Sequence, residues 1–219
     1  PSLLHHLEEV HISSDRNLID LRFPVQRVVR PISSDLHYFR GYAGQVASGV
    51  LEEGDEVVVL PSGFTSRIES IETPDGPLKE AFPPQSVVVR LADELDISRG
   101  DMICRARNHP TVGQEVSAML CWMSDQPLRA GAKLAIKHTT RWARVLVKDL
   151  VYRLDVNNLH RDQHADELVL NDIGRVDLRS QVPLFYDEYR VNRTTGSFIL
   201  VDEATNATVG AGMILRPAS

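Results

Sequence analysis

From residue 18 onward, apolar residues recur at every second position or in short runs, and Gly, Pro, Asp and Ser clusters cut those runs at short intervals. LIDLRFPVQRVVRP, GQVASGVL, DEVVVLPS, SRIESIET, SVVVRLA and GDMICRA form a first series. VSAMLCWM, AKLAIKHTT, RWARVLVKDLVYRLDV, ELVLNDIGRVDLRS, GSFILVDE and ATVGAGMIL form a second. Many short strands at this spacing predict antiparallel barrels rather than a parallel α/β sheet. The pattern breaks at NHPTVGQE (108–115), where Pro110 and Gly113 interrupt it. Ahead of the strands, Ser2 is placed to cap a helix over LLHHLEEV, with Leu3, Leu4, Leu7 and Val10 at helical spacing. SSDRN (13–17) reads as a polar connector. The predicted fold is therefore all-β: a short helix and connector over 1–17, a first antiparallel β-barrel over 18–109, and a second over 110–219 that ends in LRPAS, the start of an exit linker. Within the second barrel, LHRDQHADE (159–167) is a polar insertion expected to form a helical turn.

Composition narrows the function classes. A chain of 219 residues with 42% apolar content can bury two ordinary cores. Nothing in it is long and apolar enough to span a bilayer. It starts at Pro1 rather than Met and has no basic n-region followed by an apolar h-region. It reads as a piece or a processed form of a longer cytoplasmic protein. Cys104 and Cys121 both sit in apolar contexts, which suits buried thiols in a reducing compartment better than a disulfide. A net charge of −6 argues against a protein built to grip nucleic-acid backbones.

Few residues offer chemistry. His160 and His164 lie four apart beside Asp162 and Asp166, which on a helix would put ligands on one face. Without a third ligand on a rigid strand, a solvated loop is the better reading. Lys137, His138, Arg141 and Trp142 concentrate cations and an aromatic at a strand–turn–strand junction, and they are the candidate partner contact. Arg99, Arg105 and Arg107 stand among Asp93, Glu94, Asp96 and Asp101, and so read as an ion-paired face. Glu52-Glu53 and Asp187-Glu188 have no apolar surroundings suited to acid–base work. Asn192-Arg193-Thr194 and Asn206-Ala207-Thr208 match the glycosylation sequon without a secretory signal to give it meaning. There is no G-x-S-x-G elbow, no Gly-Lys pair, no lysine followed by Ser or Thr, and no Asn-Lys-x-Asp. No catalytic, cofactor-binding or metal-binding residue is assigned.

Several segments carry a resemblance. Arg40-Gly41, Gly44, Val46, Ser48-Gly49, Leu51 and Gly54-Asp55 resemble domain II of the elongation-factor-Tu-like GTPases, as does the Asp96–Met102 turn into a last strand. Thr208-Val209-Gly210-Ala211-Gly212-Met213 resembles the closing strand of domain III. FRGYAGQVASGV (39–50), YRLDVNNL (152–159), LNDIGRV (170–176) and NRTTGSFILVDEATNATVGAGMI (192–214) are similar, more narrowly, to the large GTPase subunit of bacterial sulfate adenylyltransferase, including forms fused to adenylylsulfate kinase. PSLLHHLE resembles the helix that ends that family's GTPase domain.

The resemblance implies non-catalytic barrels that couple GTP hydrolysis to synthesis of adenosine 5′-phosphosulfate from ATP and sulfate. It places GTP and Mg in an upstream domain and leaves this piece without activity of its own. The implied partners are the smaller adenylyltransferase subunit, the upstream GTPase domain and a downstream kinase domain. Nucleic acid and membrane are not among them. The alternative is a pair of tRNA-binding domains from a translation GTPase, against which the acidic balance counts.

Overall fold

The computed structural model describes residues 3–4, 17–30 and 40–217. Leu3 and Leu4 are helical and exposed; the rest of the expected helix over 3–10 and all of the connector but Asn17 lie outside the described residues.

The first series of runs gives β1 (Arg22–Val29), β2 (Gly41–Gln45), β3 (Leu51–Glu52), β4 (Glu56–Leu60), β5 (Phe64–Thr73), β6 (Gly76–Leu78), β7 (Glu80–Ala81), β8 (Ser86–Leu91) and β9 (Met102–Arg105). Six of them close a ring in the order β4-β9-β1-β2-β8-β5, sealed by pairing of β5 with β4. The second series gives β10 (Thr111–Trp122), β11 (Leu128–Arg129), β12 (Lys133–His138), β13 (Arg141–Leu154), β14 (Arg161–Asp162), β15 (Glu167–Leu168), β16 (Ile173–Tyr186), β17 (Ser197–Val201) and β18 (Thr208–Pro217). Here the ring runs β12-β17-β18-β10-β16-β13 and closes between β13 and β12. The ring pairings are antiparallel throughout, so the expected two-barrel, all-β architecture is what forms.

The alternation in sequence decides which residues point inward. Val87, Val89 and Leu91 of β8 are buried while their neighbours are partly or fully exposed. Leu134, Ile136 and His138 do the same on β12. Each barrel fills its interior with its own cluster, one around Phe23, Tyr42, Ile71 and Ile103, the other around Trp122, Ile136, Leu178 and Phe198. Closure matters because a ring leaves no long unpaired edge. Two glycines sit where a side chain would be strained or obstructed. Gly54 takes φ +90° in the turn before β4, a region side chains avoid. A Cβ on Gly212 would collide with the Phe198 ring on the neighbouring strand. The space over Gly210 and Gly212 is thus filled from inside its own barrel, by Leu120 and Trp122 at the first and Phe198 at the second.

The expected helical turn at 159–167 does not form. Asp155 instead accepts hydrogen bonds from Asn157 and Asn158 and shapes a tight turn. That turn returns the chain so that Arg161 and Asp162 pair with Leu154 and Arg153. Leu168, fully buried, then anchors β15 against β11. Among the described residues no helix is long and apolar enough to cross a membrane.

Candidate functional site

A dense polar cluster lies where the two barrels meet. Arg22 stands between Leu21 and Phe23 at the start of β1 and is only 2% exposed. Its guanidinium reaches across to Asp187, just past β16, with Nε donating to Oδ2 at 2.9 Å and Nη2 donating to Oδ1 at 2.8 Å. Nη1 donates to the carbonyls of Leu21 and Asn108. Asp187 takes a further hydrogen bond from the Thr195 hydroxyl at 2.7 Å. A planar fork meeting a carboxylate in this way is the strongest form of charge-assisted pairing.

Around that pair runs a second set of links. Asn192 donates from Nδ2 to the Ser48 hydroxyl at 2.7 Å, and Ser48 in turn donates to the Asp20 carbonyl. Asn108 donates to the Asp20 carboxylate at 2.6 Å. Burial works to raise the Asp20 carboxyl, but hydrogen bonds from Asn17 and Asn108 and the charge of Arg22 outweigh it and hold the group below its usual value. An apolar patch lies alongside: Phe185 of the second barrel packs with Leu60, Met102 and Cys104 of the first. Burial pushes the Cys104 thiol up to about 12. Both cysteines are free thiols.

The structure separates the four residues of the candidate partner contact. His138 takes the inward position after Leu134 and Ile136, is 1% exposed, and sits 2.7 Å from the Thr195 carbonyl. A carbonyl only accepts, so Nε2 carries the proton. Burial lowers the His138 pKa, Arg141 adds to this, and Thr195 and Asp187 only partly oppose it. Arg141 points to the first barrel. It donates to the Gly100 carbonyl at 2.9 Å, lies 3.6 Å from Asp101 and rests 4.7 Å above the Phe185 ring. Burial raises the Asp101 carboxyl despite hydrogen bonding from Ser98 and the nearby Arg141 charge.

Lys137 and Trp142 remain on the outside, directly paired across the hairpin, with the Lys137 ammonium 5.9 Å from the ring centroid and Trp142 50% exposed. The register extends that pair sideways: Lys137 faces Ile199, Ile199 faces Ala211, and Ala211 faces Cys121. This row walls a shallow, mainly apolar groove of about 810 Å³ that also takes in Met213.

The other candidates disperse. His160 and His164 are exposed in the loop beyond β13, and Asp162 is paired with Arg153 at 3.2 Å. Among the described residues no three His, Cys, Asp or Glu side chains could share a metal ion. Arg105 pairs with Asp55 rather than with the acids of the 93–101 segment. Asn192 of the first sequon is buried in the junction.

Sequence reasoning missed Arg22, Asp187, Asn192 and Thr195 as a unit, because Arg22 lies 165 residues before Asp187 and on the other barrel. One signal was available: a cation in the middle of the apolar run LIDLRFPV has to be buried with a partner.

The comparisons bear on both barrels. Residues 42–104 match the family "Elongation factor Tu domain 2", and residues 115–215 match "GTP-eEF1A C-terminal domain-like". Over 220 residues the chain is 58% identical to the bifunctional enzyme CysN/CysC of Mycobacterium tuberculosis (strain CDC 1551 / Oshkosh), an alignment covering 100% of this chain and 36% of that protein. Over 214 residues it is 46% identical to sulfate adenylyltransferase subunit 1 of Bacteroides fragilis (strain YCH46), covering 98% of this chain and 44% of that one. The crystal structure of sup35 complexed with GDP superposes with a TM-score of 0.81 at 17% identity, over 100% of this chain and 52% of that chain, which speaks to fold alone. The chain spans roughly a third to just under half of the curated relatives it matches. At this identity along its entire length, the chain belongs to the family of the CysN/CysC and sulfate adenylyltransferase subunit 1 proteins, of which it forms the pair of elongation-factor-type barrels.

Proposed function

We propose that this chain is the coupling part of a GTP-dependent sulfate adenylyltransferase in the cytoplasm, with domains at 18–109 and 110–219 and residues 1–17 leading in from a GTPase domain. GTP and its Mg ion belong to that upstream domain. Their hydrolysis chemistry is linked to formation of adenosine 5′-phosphosulfate from ATP and sulfate on a separate, smaller adenylyltransferase subunit. A kinase domain acting on adenosine 5′-phosphosulfate follows in fused forms of the protein. The observation that carries this reading is the 58% identity to CysN/CysC across the full chain, which is too high and too continuous to reflect barrel shape alone.

The barrels contribute no reacting group. They offer a stiff double body, held by the Arg22–Asp187 junction, and an outer face at Lys137 and Trp142 that nothing in the chain covers among the described residues. We assign the contact with the smaller subunit to that face, because a half-exposed tryptophan beside a cation and an apolar groove is the composition of an interface anchor.

Calorimetric titration of the chain against the smaller subunit, with aminoacyl-tRNA titrated in parallel, tests the reading. Saturable binding to the subunit, weakened about tenfold or more by Trp142→Ala, is expected. Binding to tRNA alone would replace this reading with a translation factor. Subunit binding untouched by Trp142→Ala would move the contact elsewhere on the barrels.

A further inference from the structure

The outer surface of the second barrel is not uniformly polar. On β13 and β16 the outward positions carry charge, among them Arg144, Arg175 and Arg179. On β10, β18 and β17, which lie side by side, the mid-strand outward positions carry none: Met119 and Cys121, Ala211 and Met213, and Ile199. They alternate with fully buried Leu120, Leu200 and Ile214 and so face away from the core. A sheet face turned to water ordinarily carries polar residues at such positions.

Strand register gathers this apolar surface into the groove beside Trp142. Cys121, Ala211, Ile199 and Lys137 stand next to one another on four adjacent strands. At about 4.8 Å per strand they make a floor of about 14 Å. The floor is low because Ala211, Ser197 and Cys121 are small, and Tyr189 and Met213 line it alongside. Charge adds a second feature. Lys137 and Arg193 line the groove and no Asp or Glu does. Lys137 lies against the Trp142 ring and makes no ion pair among the described residues.

The strands themselves restrict what can lie there. Lys137 is paired with Trp142 and Ile199, Ile199 with Lys137 and Ala211, Ala211 with Ile199 and Cys121, and Cys121 with Ala211 and Ile173. Each is flanked by a strand on both sides, so no sheet edge is open to an added strand, and an occupant has to bind through side chains. A helix does this from one face, with apolar residues three and four apart. About ten residues of helix span the floor at 1.5 Å per residue.

We propose that the groove seats an amphipathic helix of the smaller subunit, apolar face down, with an acidic side chain turned to Lys137. The proposal rests on the assignment of the subunit contact to the Trp142 face and says what that contact is made of. Trp142 closes one end of the groove, and the carboxylate meets a cation that has no carboxylate of its own in this chain's described residues.

The test combines calorimetric titration with the smaller subunit, for the parent chain and its variants, with hydrogen exchange of that subunit free and bound. Ala211 is exposed, so Ala211→Trp fills the groove from outside and should leave the melting temperature unchanged. It is expected to weaken binding about tenfold or more. Lys137→Glu should weaken binding about tenfold, while Lys137→Arg keeps it. Alkylation of Cys121 on the floor should slow in the complex. Exchange should slow in one helix of the subunit that carries apolar residues at three- and four-residue spacing and an Asp or Glu. Changing that acid to lysine should restore binding to Lys137→Glu. Binding that is lost in Trp142→Ala but unaffected in Ala211→Trp, with Cys121 equally reactive, overturns the groove while the subunit contact at the hairpin stands. Exchange slowed only in a strand or loop overturns the helix. No binding by the parent chain overturns this proposal together with the subunit contact on which it rests.

Discussion

Replacing Arg22 with leucine removes the cation at the centre of the junction and leaves its surroundings in place. Asp187, whose side chain is 11% exposed, then keeps the Thr195 hydroxyl as its one side-chain donor among the described residues. The carbonyls of Leu21 and Asn108 lose their partner at the same time. Breaking a buried ion pair by removing one member costs about 3–5 kcal/mol, because the other charge stays buried and uncompensated. For a chain of this size each kcal/mol moves the melting temperature by ~2–4 °C, so a fall of ~6–20 °C is expected for Arg22→Leu. The assay is urea or thermal unfolding of four proteins: the parent, Arg22→Leu, Asp187→Leu and the double variant. If the loss comes from an orphaned charge, the double variant is more stable than either single one, because no buried charge remains. Single variants that lose less than about 1 kcal/mol, or a double variant whose loss is the sum of the singles, would refute the reasoning. The first outcome would mean that water reaches the junction, and the second that the two residues act separately.

Three further outcomes follow from the same geometry. His138 is held neutral by burial, so its folded pKa lies below the unfolded value of 6.5, and the unfolded chain binds the extra proton first. Stability should therefore decline as pH falls below about 6.5, by at most ~1.4 kcal/mol per pH unit from this group, and His138→Gln should flatten that slope in unfolding titrations from pH 7.5 to 5.5. Gly212→Val places methyl groups into the Phe198 ring and should cost about 1–3 kcal/mol or more by denaturant unfolding, with the loss confined to the second barrel if the barrels melt separately. Cys104, with its thiol raised to about 12, should resist a thiol reagent until the chain unfolds, whereas half-buried Cys121 reacts earlier; mass spectrometry of the labelled protein distinguishes the two.

What could be read in advance follows from the range of the interactions concerned. Strand existence is a local matter, and runs such as SVVVRLA and AKLAIKH announced β8 and β12 because alternation in sequence is alternation in space. The same rule, applied two residues past Ile136, points His138 inward, but its polar neighbours led the sequence reading to group it with an exposed contact. Asp187 is the opposite case. Its own neighbours give it no pocket; the pocket comes from Arg22, which lies 165 residues earlier and on the other barrel. The turn at 155–162 was misread for another reason. His160 and His164, like Asp162 and Asp166, lie four apart as on one helix face, but the Asp155 carboxylate captures backbone and side-chain donors just before them and sets a turn instead.

The junction also explains why the two barrels present one body to anything that pulls on them. Each barrel could complete its core alone, since the two large clusters share no residue. Among the contacts that join them are a bidentate ion pair, the Asn192 bond to Ser48, the Arg141 bond to Gly100 and a small apolar patch around Phe185, made from positions on or near strands. Such contacts are short-ranged and directional, so a small relative rotation would lengthen several at once and leave Arg22 and Asp187 buried without each other. A hinge built on water-filled, loop-to-loop contact would carry no such penalty. Two elements that have to pass a displacement from one neighbour to another gain from this stiffness, because strain applied to one barrel reaches the other instead of being absorbed between them. The outward pair Lys137 and Trp142 shares its hairpin with His138 and Arg141, so a partner docked on Trp142 would rest on the same rigid turn that ties the barrels together.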